Sequence, residues 1–222
     1  MLRLGFAGGT PLRRVLAIGA HSDDLEIGCG GTILTLARAN PGLAVDWVVL
    51  AASGDRADEA RRSAQVLLGD TAESSVDVLG FRDGYLPHTA DEVKDAFEEL
   101  KGRVQPDLVL THKRDDLHQD HRLVCELTWN TFRDHVVLEY EIPKWDGDLG
   151  RPNVYVSLEE SVVREKLDLL GAHFDTQRGK DWYDVDVFRG LMRIRGMECR
   201  APSGYAEAFV ARKLTLDPGG AA

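Results

Sequence analysis

The chain is poor in the features that mark several protein classes. Its three cysteines, Cys29, Cys125 and Cys199, are too few and too scattered for a disulfide scaffold, and none forms a Cys-x-x-Cys pair. No apolar run approaches the ~20 residues that a membrane helix requires, so no membrane span is expected. The segment Met1 to Gly9 has an apolar patch but soon meets Pro11 and Arg13-Arg14, which leaves neither the h-region nor the cleavage site of a signal peptide. A cytoplasmic location is the expectation. Positive charge is also in deficit: 27 Lys and Arg stand against 37 Asp and Glu, a formal net charge of -10. That balance argues against nucleic acid and anionic membrane as partners, while leaving room for a local basic pocket. Nor does a Ser/Gly/Pro-rich linker or an internal repeat divide the 222 residues. One domain over residues 1–222 is expected, with a flexible tail at 217–222.

What the chain does contain is an alternation of apolar strands and amphipathic helices. Val15-Leu16-Ala17-Ile18 and Leu108-Val109-Leu110 read as buried strands. The first precedes a helix expected over Gly30–Asn40, the second one over His118–Arg133. Between them, strands are expected at Val45–Ala52 and Val76–Leu79 and helices at Asp58–Leu68 and Asp91–Val104. In the last helix Val93, Phe97, Leu100 and Val104 recur at helical spacing, and Asp91 is read as its N-cap. Further strands are read at Val136–Ile142 and Val154–Ser157, and a helix over Leu158–His173. The pattern predicts an α/β fold, Rossmann-like, with a largely parallel sheet flanked by helices. A strand order 3-2-1-4-5 would make strands 1 and 4 neighbours at the switch point, where open α/β sheets bind ligands at the carboxyl ends of their strands.

Two motifs sit at those ends. Ala20-His21-Ser22-Asp23-Asp24 follows the first strand, and His118-Gln119-Asp120-His121 lies beyond the fourth; the predicted order brings His21 and His118 into one crevice although 97 positions separate them. His21 and Asp24, and likewise His118 and His121, are three apart, a spacing that lets paired side chains meet one point. A catalytic zinc takes three protein ligands and keeps a position for water, so two histidines and one carboxylate suffice. That leaves Asp23 and His118 for acid and base work.

These residues resemble the PIG-L/LmbE de-N-acetylases, zinc-dependent hydrolases that remove acetyl groups from N-acetylglucosamine units. The family's Ala-His-Pro-Asp-Asp and Gly-x-Gly-Gly-Thr motifs read here Ala20-His21-Ser22-Asp23-Asp24 and Gly28-Cys29-Gly30-Gly31-Thr32. Its His-Pro-Asp-His reads His118-Gln119-Asp120-His121. Weaker similarity runs through Gly54-Asp55, Leu68-Gly69, Gly80-Phe81-Arg82-Asp83, Pro152-Asn153-Val154-Tyr155 and Tyr205-Ala206-Glu207-Ala208-Phe209. The resemblance implies His21, Asp24 and His121 as metal ligands, with zinc as the ion or another divalent metal such as Fe2+. It implies Asp23 as general base, and a protonated His118 as acid or oxyanion stabiliser. Its substrate would be a small acetylated amino sugar, releasing acetate and a free amine. Both motif prolines are exchanged here, which bears on loop rigidity rather than on the ligand set.

Blander readings stand beside these. Asp23 and Asp24 could cap the following helix, although a cap needs one carboxylate. Gly28, Gly30 and Gly31 lack the third glycine at Rossmann spacing, so a tight turn and helix packing are preferred over a nucleotide loop. Cys29 is read as a small buried apolar residue. Arg56 is a candidate substrate contact, and Asp120 is placed to orient a histidine from behind. Asp115 and Asp116 are read as polar loop, and no role is assigned to His173 or Gln177. Trp145 and Trp182 lie in loops that would flank a cleft and could stack on a sugar or serve contacts in a homo-oligomer. Two other functions compete: a non-haem iron(II) oxygenase, which also uses two histidines and a carboxylate, and a metal-stabilised sugar-binding module, which has no need of Asp23 and His118.

Overall fold

A computed structural model describes residues 12–69, 71 and 73–215; the expected tail and the Met1–Gly9 segment lie outside them. The central sheet is built from β1 (Arg14–Gly19), β2 (Ala44–Val49), β3 (Glu73–Val78), β4 (Leu108–His112), β5 (Val136–Tyr140), β6 (Val154–Ser157) and β7 (Ala206–Val210). Its order is β3-β2-β1-β4-β5-β7-β6. The first five strands are parallel in the predicted order, while β7 is antiparallel to both β5 and β6. Every residue of β2 and β4 is buried, as both faces of a parallel sheet demand.

Strand periodicity divides the core. Val15 and Ala17 of β1 face one apolar layer and Leu16 and Ile18 the other. Four helices supply the first layer: α1 (Asp24–Ala39), α2 (Asp55–Leu67), α5 (Glu160–His173) and α6 (Val185–Cys199). The second layer is covered by α3 (Ala90–Arg103) and α4 (Gln119–Thr131), with Val93, Phe97 and Leu100 turned inward as their spacing predicts. Among the described residues no helix is long and apolar enough to cross a membrane.

Several boundaries differ from expectation, each for a physical reason. The first helix begins at Asp24 rather than Gly30, so the glycine run lies inside it. Glycine weakens an isolated helix by about 1 kcal/mol per residue, but here the missing side chains admit neighbours. A Cβ on Gly28 would stand 2.2 Å from Cδ2 of the buried Tyr140 ring, and one on Gly31 would stand 2.9 Å from Glu207 Oε1. Glu207 accepts the Gly31 and Thr32 amides at 2.9 and 2.6 Å, and Lys166 Nζ donates to both Glu207 and the Ile27 carbonyl at 2.6 Å. The glycines therefore serve helix packing, and the tight turn expected of them is not formed because they lie within α1. Helix α2 opens at Asp55, which puts Arg56 in its first turn. Thr89, not Asp91, is the N-cap residue of α3; Asp91 lies within the first turn and complements the helix dipole. Helix α6 and strand β7 were not read from the sequence: the inward positions Phe188 and Met192 are interrupted by Arg195, a charged residue buried on Glu141.

Candidate active site

The turn from β1 into α1 positions the first motif. The His21 amide donates to Asp24 Oδ2 at 2.6 Å, closing the turn and aiming the Asp24 carboxylate back over the strand end. Asp23 occupies the N-cap position but its side chain makes no capping bond, and its Oδ2 is buried without a partner. The capping reading of Asp23 is thereby set aside. Across the sheet, β4 ends at His112, and the chain then loops to His118, the N-cap of α4, whose Nδ1 accepts the Asp120 amide at 3.2 Å.

The two motifs meet. His21 Nδ1 lies 3.1 Å from His121 Nε2 and 3.4 Å from Asp24 Oδ2, and His121 Nε2 lies 3.5 Å from Asp24 Oδ1. A tetrahedral ion with bonds of ~2.0–2.1 Å sets its ligands about 3.3 Å apart, and the two imidazole nitrogens, each facing a different oxygen of the Asp24 carboxylate, have that spacing. His118 joins them: its ring centroid is 4.8 Å from that of His21 and 4.6 Å from that of His121. The same neighbourhood holds overlapping clusters of metal-capable groups, His21 with His118 and His121, and Asp24 with His112 and His121. Asp23, Asp24, Asp83, Asp116 and Asp120 surround these imidazoles. Arg56 and Lys144 are the lysine and arginine side chains paired with them among the described residues. This excess of buried negative charge, together with the orphaned Asp23 oxygen, fits a divalent cation.

Each candidate ligand is oriented from behind. Asp120 Oδ2 sits 3.2 Å from His21 Nε2 while its two oxygens accept the Gly84 and Leu86 amides at 2.7 and 3.2 Å. Asp83 Oδ1 lies 3.1 Å from the same nitrogen. Asp116 Oδ2 meets His121 Nδ1 at 3.1 Å, and its other oxygen accepts the His118 amide at 2.8 Å. Fully buried His112 stacks on His121 with ring centroids 3.8 Å apart, and its Nε2 lies 3.0 Å from the Ala20 amide and 3.1 Å from Asp24 Oδ2. Such carboxylate–histidine pairs set the tautomer and basicity of a metal ligand. His112, Asp116 and Asp83 were missed as functional residues. His112 carries a readable signal, a polar side chain at the carboxyl end of the fourth strand, lost when that strand is ended at Leu110.

Electrostatics separates the roles. Burial and the adjacent Asp24 carboxylate push Asp23 up to about 6, against the pull of Arg56 and His21. Asp24 is held well below the carboxylate range: burial opposes its charge, but His121, His112 and His21 outweigh it. Burial and His112 lower His121 to about 3, leaving it neutral as a ligand must be. His118 is also lowered, by burial and by His21. Since its Nδ1 accepts an amide proton, His118 is a neutral Nε2–H donor rather than the imidazolium expected from the sequence. Arg56 bonds Ser22 Oγ at 3.3 Å, pairs with Asp83 and stands 3.9 Å from Asp23. The site opens into a cleft of about 180 Å³ that is also lined by Lys144, Trp145, Gln177, Lys180 and Trp182.

Residues 16–132 match the model of the PIG-L family, described as GlcNAc-PI de-N-acetylase. The chain belongs to this family. It is 30% identical over 171 residues to the uncharacterized deacetylase YaiS of Escherichia coli (strain K12), covering 72% of this chain and 89% of that one. Among solved structures, the N,N'-diacetylchitobiose deacetylase from Pyrococcus horikoshii superposes with a TM-score of 0.71 at 21% identity, over 92% of this chain and 86% of the other. GalB, the 4-carboxy-2-hydroxymuconate hydratase from Pseudomonas putida KT2440, superposes with a TM-score of 0.74 at 20% identity, over 95% and 100%. These likenesses bear out the α/β fold read from the sequence. The hydratase also shows that a PIG-L-like fold is not by itself a statement of reaction.

Proposed function

We propose that this PIG-L family member is a divalent-metal N-deacetylase of an acetylated amino sugar, with zinc as the ion. The observation that carries the reading is the partnerless carboxylate oxygen of Asp23 beside two imidazole nitrogens and the Asp24 carboxylate at metal-ligand spacing. His21, Asp24 and His121 would hold the ion. When bound, it supplies Lewis-acid polarisation and lowers the pKa of water toward ~7. Asp23 accepts a proton from the attacking water at Oδ2 as the acetamide carbon is attacked. His118 donates its Nε2–H to the developing oxyanion, and it does so as a neutral imidazole because the Asp120 amide occupies Nδ1. Asp23, now protonated, is the group placed to return the proton to the leaving nitrogen. Arg56 restrains Asp23 and Ser22 at the cleft edge, and Trp145 and Trp182 offer apolar faces for a sugar ring.

Acetate release from a panel of N-acetylated sugars, with metal content measured in parallel, tests the reading. Acetate and free amine are expected in equal amounts, at a rate that follows metal content and is independent of oxygen and 2-oxoglutarate. Dependence on either co-substrate would move the protein to the oxygenases. Metal and sugar binding with no turnover would leave a binding module.

A further inference from the structure

The loop between β5 and β6 carries a buried charge cluster that the deacetylation chemistry does not use. Lys144, 8% exposed in its side chain, places Nζ 3.0 Å from Asp116 Oδ1 and 2.5 Å from Asp148 Oδ2. Asp148 also accepts the Leu117 amide at 2.7 Å and lies 4.0 Å from Lys113 Nζ, so two lysines balance two carboxylates. Asp116 is the carboxylate that holds His121 Nδ1 and the His118 amide. Lys144 is therefore one ion pair away from a candidate metal ligand, and it is followed directly by Trp145 and Asp146 on the cleft rim. Trp145 is pinned in turn to the opposite rim, its Nε1 donating to Asp181 at 2.8 Å.

We propose that Lys144 is a positioning residue that couples the cleft loop over residues 143–150 to the metal site through Asp116. A buried ion pair contributes little net stability, but it fixes which partners meet. Here it orients the carboxylate behind His121 and anchors the loop at one point. Loop order and metal affinity are then linked: an ion that holds His121 in place holds the loop, and a loop held by substrate tightens the ion. The inference rests on the metal-site reading above and reaches beyond it to how loading prepares the cleft.

Zinc affinity by chelator competition and limited proteolysis of the 143–150 loop, with and without zinc, test this on the full chain. Lys144→Met is expected to weaken zinc binding roughly 10-fold or more, the range for removing a partner behind a ligand, and to abolish zinc protection of the loop. Lys144→Arg restores both. Asp148→Asn, which keeps the Lys144–Asp116 pair, is expected to retain most of the zinc affinity and the zinc protection of the loop, and loss of both would move the coupling to Asp148 and overturn the proposal. Circular dichroism of each metal-free variant identifies any that fails to fold, and the arginine and asparagine variants then decide. Zinc affinity and protection equal to the parent in Lys144→Met overturn the proposal and leave the deacetylase reading intact. A parent chain that binds no zinc overturns both.

Discussion

Replacing Asp23 by asparagine should make the protein more stable and almost inactive at once. Asp23 is buried and carries a folded-state pKa of about 6 against an ordinary 3.8. An acid whose folded pKa exceeds its unfolded value binds more protons folded than unfolded between those two pH values. Stability therefore falls as pH rises from about 4 to about 6, and the whole penalty is present at neutral pH. A shift of this size corresponds to roughly 1–3 kcal/mol in the metal-free protein, which the neutral asparagine of nearly the same shape relieves. The same exchange removes the proton acceptor, for which a loss of roughly 10²-fold to 10⁴-fold in kcat is usual. Urea denaturation of both metal-free proteins across the acid range, paired with acetate release from the zinc-loaded forms, reads the two effects. A bound cation favours the carboxylate, so the acid limb of parent activity is expected below 6. An asparagine variant that turns over at the parent rate, or is less stable at neutral pH, would refute the reasoning.

His121→Ala should lose most of the metal, measured as bound ion per chain, whereas His118→Ala should keep it and lose roughly 10²-fold in kcat as an oxyanion donor; equal metal loss in both would put His118 among the ligands. Gly28→Ala drives a methyl into the Tyr140 ring at 2.2 Å and should destabilise by at least the ~1–3 kcal/mol of core overpacking, read as a shifted denaturation midpoint. Glu26, buried beside Ser63 and pushed up by burial to about 8 against the pull of that hydroxyl, costs stability as pH rises through the interval from 4.5 to that value. Glu26→Gln should flatten that decline, and an unchanged pH profile of stability would count against it.

Much of this architecture was legible because parallel strands announce themselves. Val15–Ile18 and Leu108–Leu110 are short apolar runs, each closely followed by a motif, and their adjacency follows from the switch-point rule. Spacing brought His21, Asp24, His118 and His121 together as candidates, whereas the choice of His21, Asp24 and His121 came from the family resemblance. What escaped detection is polar and buried. Asp116 reads as loop because nothing local says that its carboxylate is fully enclosed against His121 and Lys144. Arg195 breaks the apolar period of α6 because its partner, Glu141, is 54 residues away. The start of α1 was misplaced because Gly28, Gly30 and Gly31 look like a turn until Tyr140 and Glu207 are known to lie against them. In each case a partner distant in sequence overrides the local preference.

The clamp of Glu207 on the Gly31 and Thr32 amides also has a temporal side. Helix α1, whose first residue is Asp24, is made well before the carboxylate that grips it, which lies 175 and 176 positions later. During synthesis that helix leaves the ribosome long before β7 exists, with its glycine-lined groove unfilled and the Lys166 ammonium lacking its counter-charge. Seating of β7 is a late, non-local step of the kind that slows folding. Formation of the turn that carries His21 and Asp24 is thus deferred until β7 has emerged, and truncation before Ala206 would disable a site whose candidate ligands all lie upstream of it.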